Sequence, residues 1–431
     1  MNIKIRLTVM NFLQFAVWGA YLTSMGIFLA RAGFAGNIGW FYATQGFVSL
    51  FMPAVIGIVA DRWIPAQKLL GLCHLIAAVC IAGAAYAGSQ ANISFPLLFT
   101  FYTLSVAFYM PTLALSNSVA YTALRQQGLD TVKVFPPIRV FGTVGFICAM
   151  WVTNFHFQTS YTQWYFSAFL GVLLGVYSFT LPACPTGMEK AKTLGEALGL
   201  KAFALFKQKK MAVFFIFSML LGMSLQITNG FAGPFITGFN ALEGYTGSWG
   251  ANNATALISL SQISETLCIL LIPFFLKRFG IKKVMLISML AWVLRFGLLG
   301  VGNPTTFTGV VLLIASMIVY GVAFDFFNVS GSLYVDQETD PSIRSSAQGV
   351  FMLMTNGFGA AIGSLAAQKV INTLVNSHMN PADMVNGVYP AAISQQIMSG
   401  WSNSWFIFAG FSLVVAILFA VCFEYKHTPQ N

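Results

Sequence analysis

Four ionisable side chains within long apolar segments are the residues of this sequence best placed to do chemistry. Glu265 and Asp325 are acids, Arg139 and Arg295 are bases, and each interrupts a run of apolar residues. An ionisable group in hydrocarbon costs roughly 3 kcal/mol or more, so such residues commonly line a path for protons or polar solutes. A buried ion pair that locks helices together is the competing explanation. For Arg139, just after Pro137, snorkelling to the membrane surface is a further alternative. For Arg295, helix packing or snorkelling is as good an explanation as a functional role.

Polar and aromatic side chains stand at helical spacing around these four residues. Residues three, four or seven positions apart share one face of a helix. Aromatic packing by itself explains Tyr320 and Phe324, but it does not explain a carboxylate and amides beside them. The faces found in this way contain Arg139, Thr143 and Phe146; Gln226 and Asn229; Gln262 and Glu265; and Tyr320, Phe324 and Asn328, with Asp325 next to Phe324.

Amides, a hydroxyl, aromatic rings and carboxylates together suit a neutral, flat solute with many hydrogen-bonding groups. A nucleoside fits, because its base can stack on aromatic rings and its base edge and ribose diol can pair with amides. Another neutral polar solute, such as an oligosaccharide, is the alternative. Phosphorylated substrates are disfavoured, since they would need several convergent Arg or Lys side chains. A carboxylate in a low-dielectric cavity can load a proton, so Asp325 and Glu265 are the predicted proton-coupling residues.

Composition shows which environment must hold these side chains. The chain of 431 residues is 57% hydrophobic and 8% charged, whereas a soluble domain carries roughly 25% charged residues. Apolar runs long enough to cross about 30 Å of hydrocarbon recur from end to end, so the N-terminal run is interpreted as a span and not as a cleaved signal. The predicted spans are 8–30, 38–60, 68–87, 94–121, 135–155, 162–182, 212–238, 252–276, 282–301, 308–334, 346–374 and 401–423.

The distribution of basic residues predicts how the spans are oriented. If the N-terminus is cytoplasmic, the inner segments hold nearly all of the 22 Lys and Arg residues, and the outer segments keep only Arg31 and Lys369. The positive-inside rule therefore predicts a multi-pass membrane chain with both termini in the cytoplasm. A basic cytoplasmic linker, 184–210, separates two predicted six-helix bundles, 1–183 and 211–431. Two such bundles that rock about a midplane site are typical of the major facilitator superfamily.

Several other classes of function find no support in the sequence. The net charge of +10 is spread along the cytoplasmic side, which favours no nucleic-acid partner. The six cysteines have no metal-ligand spacing, no cofactor motif occurs, and His74 has no acid near it, so packing is its expected role. No HExxH, paired nucleophile or phosphate-binding glycine loop supports an intramembrane enzyme, and a passive pore is a remote alternative. Without an ATP-binding motif, an ion gradient must drive any uphill transport.

Long blocks of the chain resemble the nucleoside:proton symporters of the major facilitator superfamily, over nearly its whole length. The blocks are Asn11–Phe15, Gly57–Arg62, Phe135–Arg139, Gly142–Phe146, Phe214–Gly222, Leu225–Asn229, Ser261–Glu265, Val319–Asn328 and Ser346–Gly349. Gly57, Asp61 and Arg62 match the loop motif GxxxDR, which implies a role in gating. The resemblance implies a monomer in the lipid bilayer that takes up purine and pyrimidine nucleosides with a proton. It implies a pocket at Arg139, Thr143, Phe146, Gln226, Asn229, Gln262, Glu265, Tyr320, Phe324 and Asp325. The outer loops, 240–253 and 376–401, depart from the family pattern.

Overall fold

The computed structural model describes residues 2–185, 200–339 and 344–425, and within these ranges the chain is helical without a β-strand. Two isolated backbone bridges, Leu242 to Tyr389 and Val385 to Val388, are the extended pairings found there. The α-helices are α1 (Ile3–Gly19), α2 (Met25–Leu29), α3 (Ile38–Ser49), α4 (Met52–Arg62), α5 (Ala66–Gly88), α6 (Phe95–Gln126), α7 (Thr131–His156), α8 (Thr162–Ser178), α9 (Lys209–Gly238), α10 (Trp249–Asn252), α11 (Ala254–Ile269), α12 (Ile272–Val301), α13 (Phe307–Glu338), α14 (Arg344–Met352), α15 (Ala360–Leu374) and α16 (Ala391–Cys422).

Tighter and wider helical turns connect several of these helices. The 3₁₀ turns are Ala35–Asn37, Leu200–Lys207, Phe239–Ala241, Asn376–His378 and Pro381–Asp383, and the π turns are Ala30–Phe34 and Leu353–Gly359. Some positively charged positions of the predicted linker and C-terminus, namely Lys190, Lys192 and Lys426, lie outside the described residues.

Many helices are long and apolar enough to cross a membrane, which confirms a multi-pass membrane protein. Among the described residues, eight helices meet this criterion, or nine if the pair Met25–Ser49 and Met52–Ala60, bent by 42°, counts as one span. Three other predicted spans contain shorter helices, because α1 and α8 have 17 residues each and α11 has 16.

Breaks in the helices fall where glycine and proline change the backbone. Gly33, with φ 89°, lies in the π turn between α2 and α3. Gly280, with φ 75° and ψ 167°, interrupts α12 within the basic stretch that the sequence predicts to be a loop. The predicted span 252–276 ends earlier than expected, because α11 stops at Ile269 and α12 starts at Ile272 with a proline in its first turn. Proline fits the first turn of a helix, where its missing N–H costs nothing.

The described helices form two compact units. The first unit comprises described residues within Met1–Phe28 and Thr44–Lys201, and the second comprises those within Leu29–Ala43 and Ala202–Asn431. In the first unit α5 packs on α6 and α8, and α1 packs on α7. In the second unit α12 packs on α13 and α16, and α11 packs on α13. The predicted bundle boundaries themselves stay a prediction.

Each unit contains helix pairs that approach to backbone contact through glycine. In the first unit Gly145 of α7 lies against the Phe12 carbonyl of α1, and a Cβ there would collide with it. In the second unit Gly222 of α9 lies in the same way against the backbone of Thr355. Small residues allow membrane helices to approach this closely and gain van der Waals contact. These contacts fix the helix faces that carry the candidate site residues.

Candidate functional site

In the first unit, α7 carries three candidate residues and packs against α1. The Arg139 guanidinium lies over the Phe15 ring, with Cζ 3.8 Å from the ring centroid, and the residue is half-buried. A cation over an aromatic face is stabilised by the ring quadrupole. Phe146 is 7% exposed and meets Trp18 edge-on at 6.2 Å between ring centroids, while Thr143 is half-buried. Arg139 is therefore held within the helix pair α1–α7, which disfavours simple snorkelling.

A hydrogen-bonded network that the sequence did not reveal lies in the interior of the same unit. His74 Nε2 is 2.8 Å from Gln14 Oε1, and Gln14 Nε2 donates to Thr112 Oγ1 at 2.7 Å. The Tyr109 hydroxyl donates to the Gln14 carbonyl oxygen at 2.8 Å. His74, Gln14 and Thr112 are fully buried. The expected role of His74 in packing is thus refined, because its partner is an amide that lies in another helix.

In the second unit, α13 builds an aromatic wall from Tyr320 and Phe324. The two rings stack nearly parallel, 5.7 Å apart at 8°, and Trp292 of α12 meets Tyr320 edge-on at 6.0 Å. Tyr320 is 4% exposed, and Phe324 is half-buried. The side chain of Gln262 in α11 lies close to Tyr320. The structure brings Tyr320 and Phe324 together as their helical spacing predicts.

The two predicted proton-coupling acids lie near each other across the contact of α11 and α13. The helices touch where Gly321 faces the Ser264 carbonyl, and the Ser264 hydroxyl donates to the Ile318 carbonyl. Glu265 follows Ser264 and is half-buried, and its charge acts on Asp325, which is 4% exposed. Within the described residues, Asp325 Oδ2 has no hydrogen-bond partner.

Arg295 packs against the aromatic wall at Tyr320. Its side chain is 1% exposed, and its Nη1 donates to the Ser316 carbonyl at 2.7 Å and to Ser261 Oγ at 3.4 Å. Its guanidinium carbon lies 4.7 Å from the centroid of the Tyr320 ring. Arg295 is therefore enclosed by α11 and α13, which favours helix packing over snorkelling and gives it the geometry of a positioning residue for Tyr320.

The two amides of α9 pair with each other. Asn229 Nδ2 donates to Gln226 Oε1 at 3.2 Å, so the two side chains share one face. Gln226 is 7% exposed and Asn229 is half-buried. This pair leaves further donor and acceptor capacity on both amides, which can serve a ligand.

The predicted gating motif lies at the end of α4. Gly57 is within α4 and has open space where a Cβ would be, and Arg62 is exposed in the last turn of that helix. The side chains of Asp61 and Ser346 lie outside what the structure describes. The role of Gly57, Asp61 and Arg62 in gating stays a prediction. Among the described residues, no group of His, Cys, Asp and Glu could hold a metal ion.

The many apolar helices, with buried acids and amides beside an aromatic wall, define a polytopic membrane transporter and not an enzyme. A sequence profile described as nucleoside H+ symporter matches residues 1–428. The chain belongs to this nucleoside:proton symporter family.

Two Escherichia coli (strain K12) proteins and several solved structures are similar to the chain. It is 44% identical to nucleoside permease NupG, over 99% of this chain and 97% of that protein. It is 45% identical to xanthosine permease, over 100% of this chain and 98% of that protein. A crystal structure of nucleoside transporter NupG matches with a TM-score of 0.86, 44% identity, and coverage of 99% of this chain and 100% of the other. A POT family transporter, 14% identical with a TM-score of 0.66 over 96% and 95% of the two chains, shares the fold alone.

Proposed function

We propose that this protein takes up purine and pyrimidine nucleosides together with a proton, across the bacterial inner membrane, by alternating access. The observation that carries the proposal is the arrangement on α13, where the stacked Tyr320 and Phe324 rings adjoin the buried carboxylate of Asp325. Aromatic faces stack on a base, and a carboxylate shielded from water can exchange a proton. The full-length similarity to two permeases named for nucleosides and for xanthosine supports the same substrate class.

In this proposal amide and aromatic side chains bind the nucleoside. The amides of Gln226, Asn229 and Gln262 supply donors and acceptors for the base edge or the ribose hydroxyls. Tyr320, supported by Arg295, covers one face of the base. The proposed substrate-binding residues are Arg139, Thr143 and Phe146 in the first unit, and Gln226, Asn229, Gln262, Glu265, Tyr320, Phe324 and Asp325 in the second.

Asp325 is the proposed proton carrier, and Glu265 is its electrostatic partner. The support is geometric, because Asp325 is almost fully buried, has one oxygen without a hydrogen bond among the described residues, and lies on α13, which packs against the helix that carries Glu265. Binding of a proton neutralises the Asp325 carboxylate, and release of the proton restores its charge. A charge that appears and disappears between helices can bias one conformation over another, which is what symport requires.

The proposed topology has twelve transmembrane helices in two six-helix bundles, 1–183 and 211–431, joined by the cytoplasmic linker 184–210. Helical segments at the predicted spans and the one-sided distribution of basic residues support it. Both termini lie in the cytoplasm, and the protein works as a monomer in the lipid bilayer. Gly57, Asp61 and Arg62 contribute to gating.

The experiment that tests this function measures uptake of labelled uridine in cells that lack their own nucleoside carriers, with and without a protonophore. We expect accumulation above the external concentration that collapses when the protonophore is added. Unlabelled nucleosides should compete and unlabelled oligosaccharides should not. Uptake that ignores the protonophore would refute proton coupling, whereas competition by sugars alone would replace nucleosides with the alternative solute class.

A further inference from the structure

A small cleft in the second unit adjoins the aromatic wall at Phe324. Its apolar lining includes Leu225, Trp292, Phe324 and Phe327. Phe324 belongs both to this cleft and to the stacked pair with Tyr320, so the cleft is continuous with the proposed substrate site. The cleft therefore extends the space that a substrate in contact with Phe324 can occupy.

Two asparagines are the amides that line this apolar cleft. Asn328 stands one helical turn after Phe324 on α13, and Asn356 comes from the π turn that precedes α15. Both are half-buried. Among the described residues, the Asn328 amide makes no hydrogen bond, and Asn356 makes only a 3.8 Å contact from Nδ2 to Met352 Sδ. Because both side chains are only half-buried, their donors and acceptors remain accessible to a ligand or to water.

The backbone around Asn356 is built to present it. The π turn Leu353–Gly359 inserts a wider turn into an otherwise α-helical segment, and such turns often occur at functional sites. Thr355 also lines the cleft, but its hydroxyl donates back to the Phe351 carbonyl at 3.0 Å, so that proton is not available to a ligand. Gly222 packs against the backbone of Thr355 and holds the turn against α9. The neighbouring polar group is thus satisfied internally, while Asn356 is left for the cleft.

We propose that Asn328 and Asn356 form a subsite that binds the hydrogen-bonding edge of the nucleobase, with Phe324 against the face of the base. Each amide offers one acceptor oxygen and two donor hydrogens, so the pair can match both carbonyl and amino groups on a base edge. This inference rests on the proposed nucleoside function and assigns to the two asparagines the choice among bases.

The test compares two nucleosides that share the ribose and the purine ring but differ at the base edge. Inosine carries a carbonyl at C6, and purine riboside carries only hydrogen there. In carrier-deficient cells, Asn328→Ala and Asn356→Ala should raise the KM for inosine about 3- to 10-fold, as loss of one hydrogen bond predicts. The KM for purine riboside and the maximal rates should change much less. Asn376→Ala, outside the cleft, is the matched control.

Rates are normalised to the amount of protein in the membrane, and Asn328→Ser and Asn356→Ser replace any alanine variant that does not reach it. An equal rise of KM for both nucleosides, or no rise for either, would overturn the subsite while wild-type uptake still upholds the nucleoside function. Absence of wild-type uptake of every nucleoside tested would overturn both.

Discussion

The two helical units share a way of packing but differ in the polar groups that they enclose. In each unit a glycine, Gly145 or Gly222, brings one helix against the backbone of another. The interior of the first unit holds an imidazole, an amide and a hydroxyl, joined through His74, Gln14 and Thr112. The interior of the second unit holds Arg295 and Asp325, both almost fully buried.

This difference separates two jobs that buried polar groups can have. A network of amide, imidazole and hydroxyl groups orients helices at a lower electrostatic cost than buried charges, since its members hydrogen-bond to one another, although His74 Nδ1 has no partner among the described residues. Buried acids and an arginine are costly in a membrane and are retained where charge is used. The comparison predicts that proton coupling depends on the second unit, while the polar interior of the first unit is structural.

The largest expected effect comes from substituting one buried polar residue in each unit and comparing the two variants. Asp325→Asn removes the proton-binding carboxylate, so we expect uphill uridine uptake to fall at least about tenfold, to equilibration. Exchange of internal for external uridine should persist, because the amide resembles the protonated acid. His74→Gln keeps a hydrogen-bonding side chain and should retain accumulation within about threefold. The measurement is uptake into proteoliposomes with and without an imposed pH gradient.

The comparison would break if His74→Gln abolished accumulation or if Asp325→Asn preserved it. In the first case the network of the first unit would take part in coupling. In the second case Asp325 would have no role as the proton carrier, and Glu265→Gln would become the decisive variant.

A smaller effect is expected at Arg295, where the variant Arg295→Lys keeps the charge but loses the planar group over Tyr320. A guanidinium over a desolvated ring contributes about 1–2 kcal/mol, so Vmax/KM for uridine should fall about tenfold. The protonophore sensitivity of the remaining uptake should be unchanged, which a proton-carrying residue would not allow. Lysine that performs as well as arginine would show that only the charge at this position matters.

The smallest effect on transport is expected from the glycine contacts, which both units share. Gly145→Ala and Gly222→Ala each place a Cβ against backbone atoms and should destabilise the protein by about 1–3 kcal/mol through overpacking. Both variants should lower the Tm of the detergent-extracted protein by similar amounts. Gly297→Ala is the control, because open space surrounds the position of its Cβ. A decrease in Tm for Gly297→Ala as large as that for the two variants would contradict the packing argument.

Residues that share one helix face were predictable to the level of their contacts. Helical geometry places positions three or four apart side by side, and the structure accordingly pairs Gln226 with Asn229 and stacks Tyr320 on Phe324. The multi-pass membrane character followed from hydropathy for the same reason, since both are properties of a continuous segment. The π turns and the early end of α11 were not predicted, because such breaks depend on what packs around them.

The sequence by itself determined that the protein lies in a membrane, which family it belongs to and which residues share a helix face. Apolar length, long motif blocks and helical period are all local features of the chain. Only the tertiary structure decided which faces meet. The contact of His74 with Gln14 joins positions 60 apart, and that of Arg295 with the Ser316 carbonyl joins positions 21 apart in another helix. Such partners are determined by how the helices pack at glycines such as Gly145, Gly222 and Gly321. The sequence of one helix does not specify which other helix it packs against.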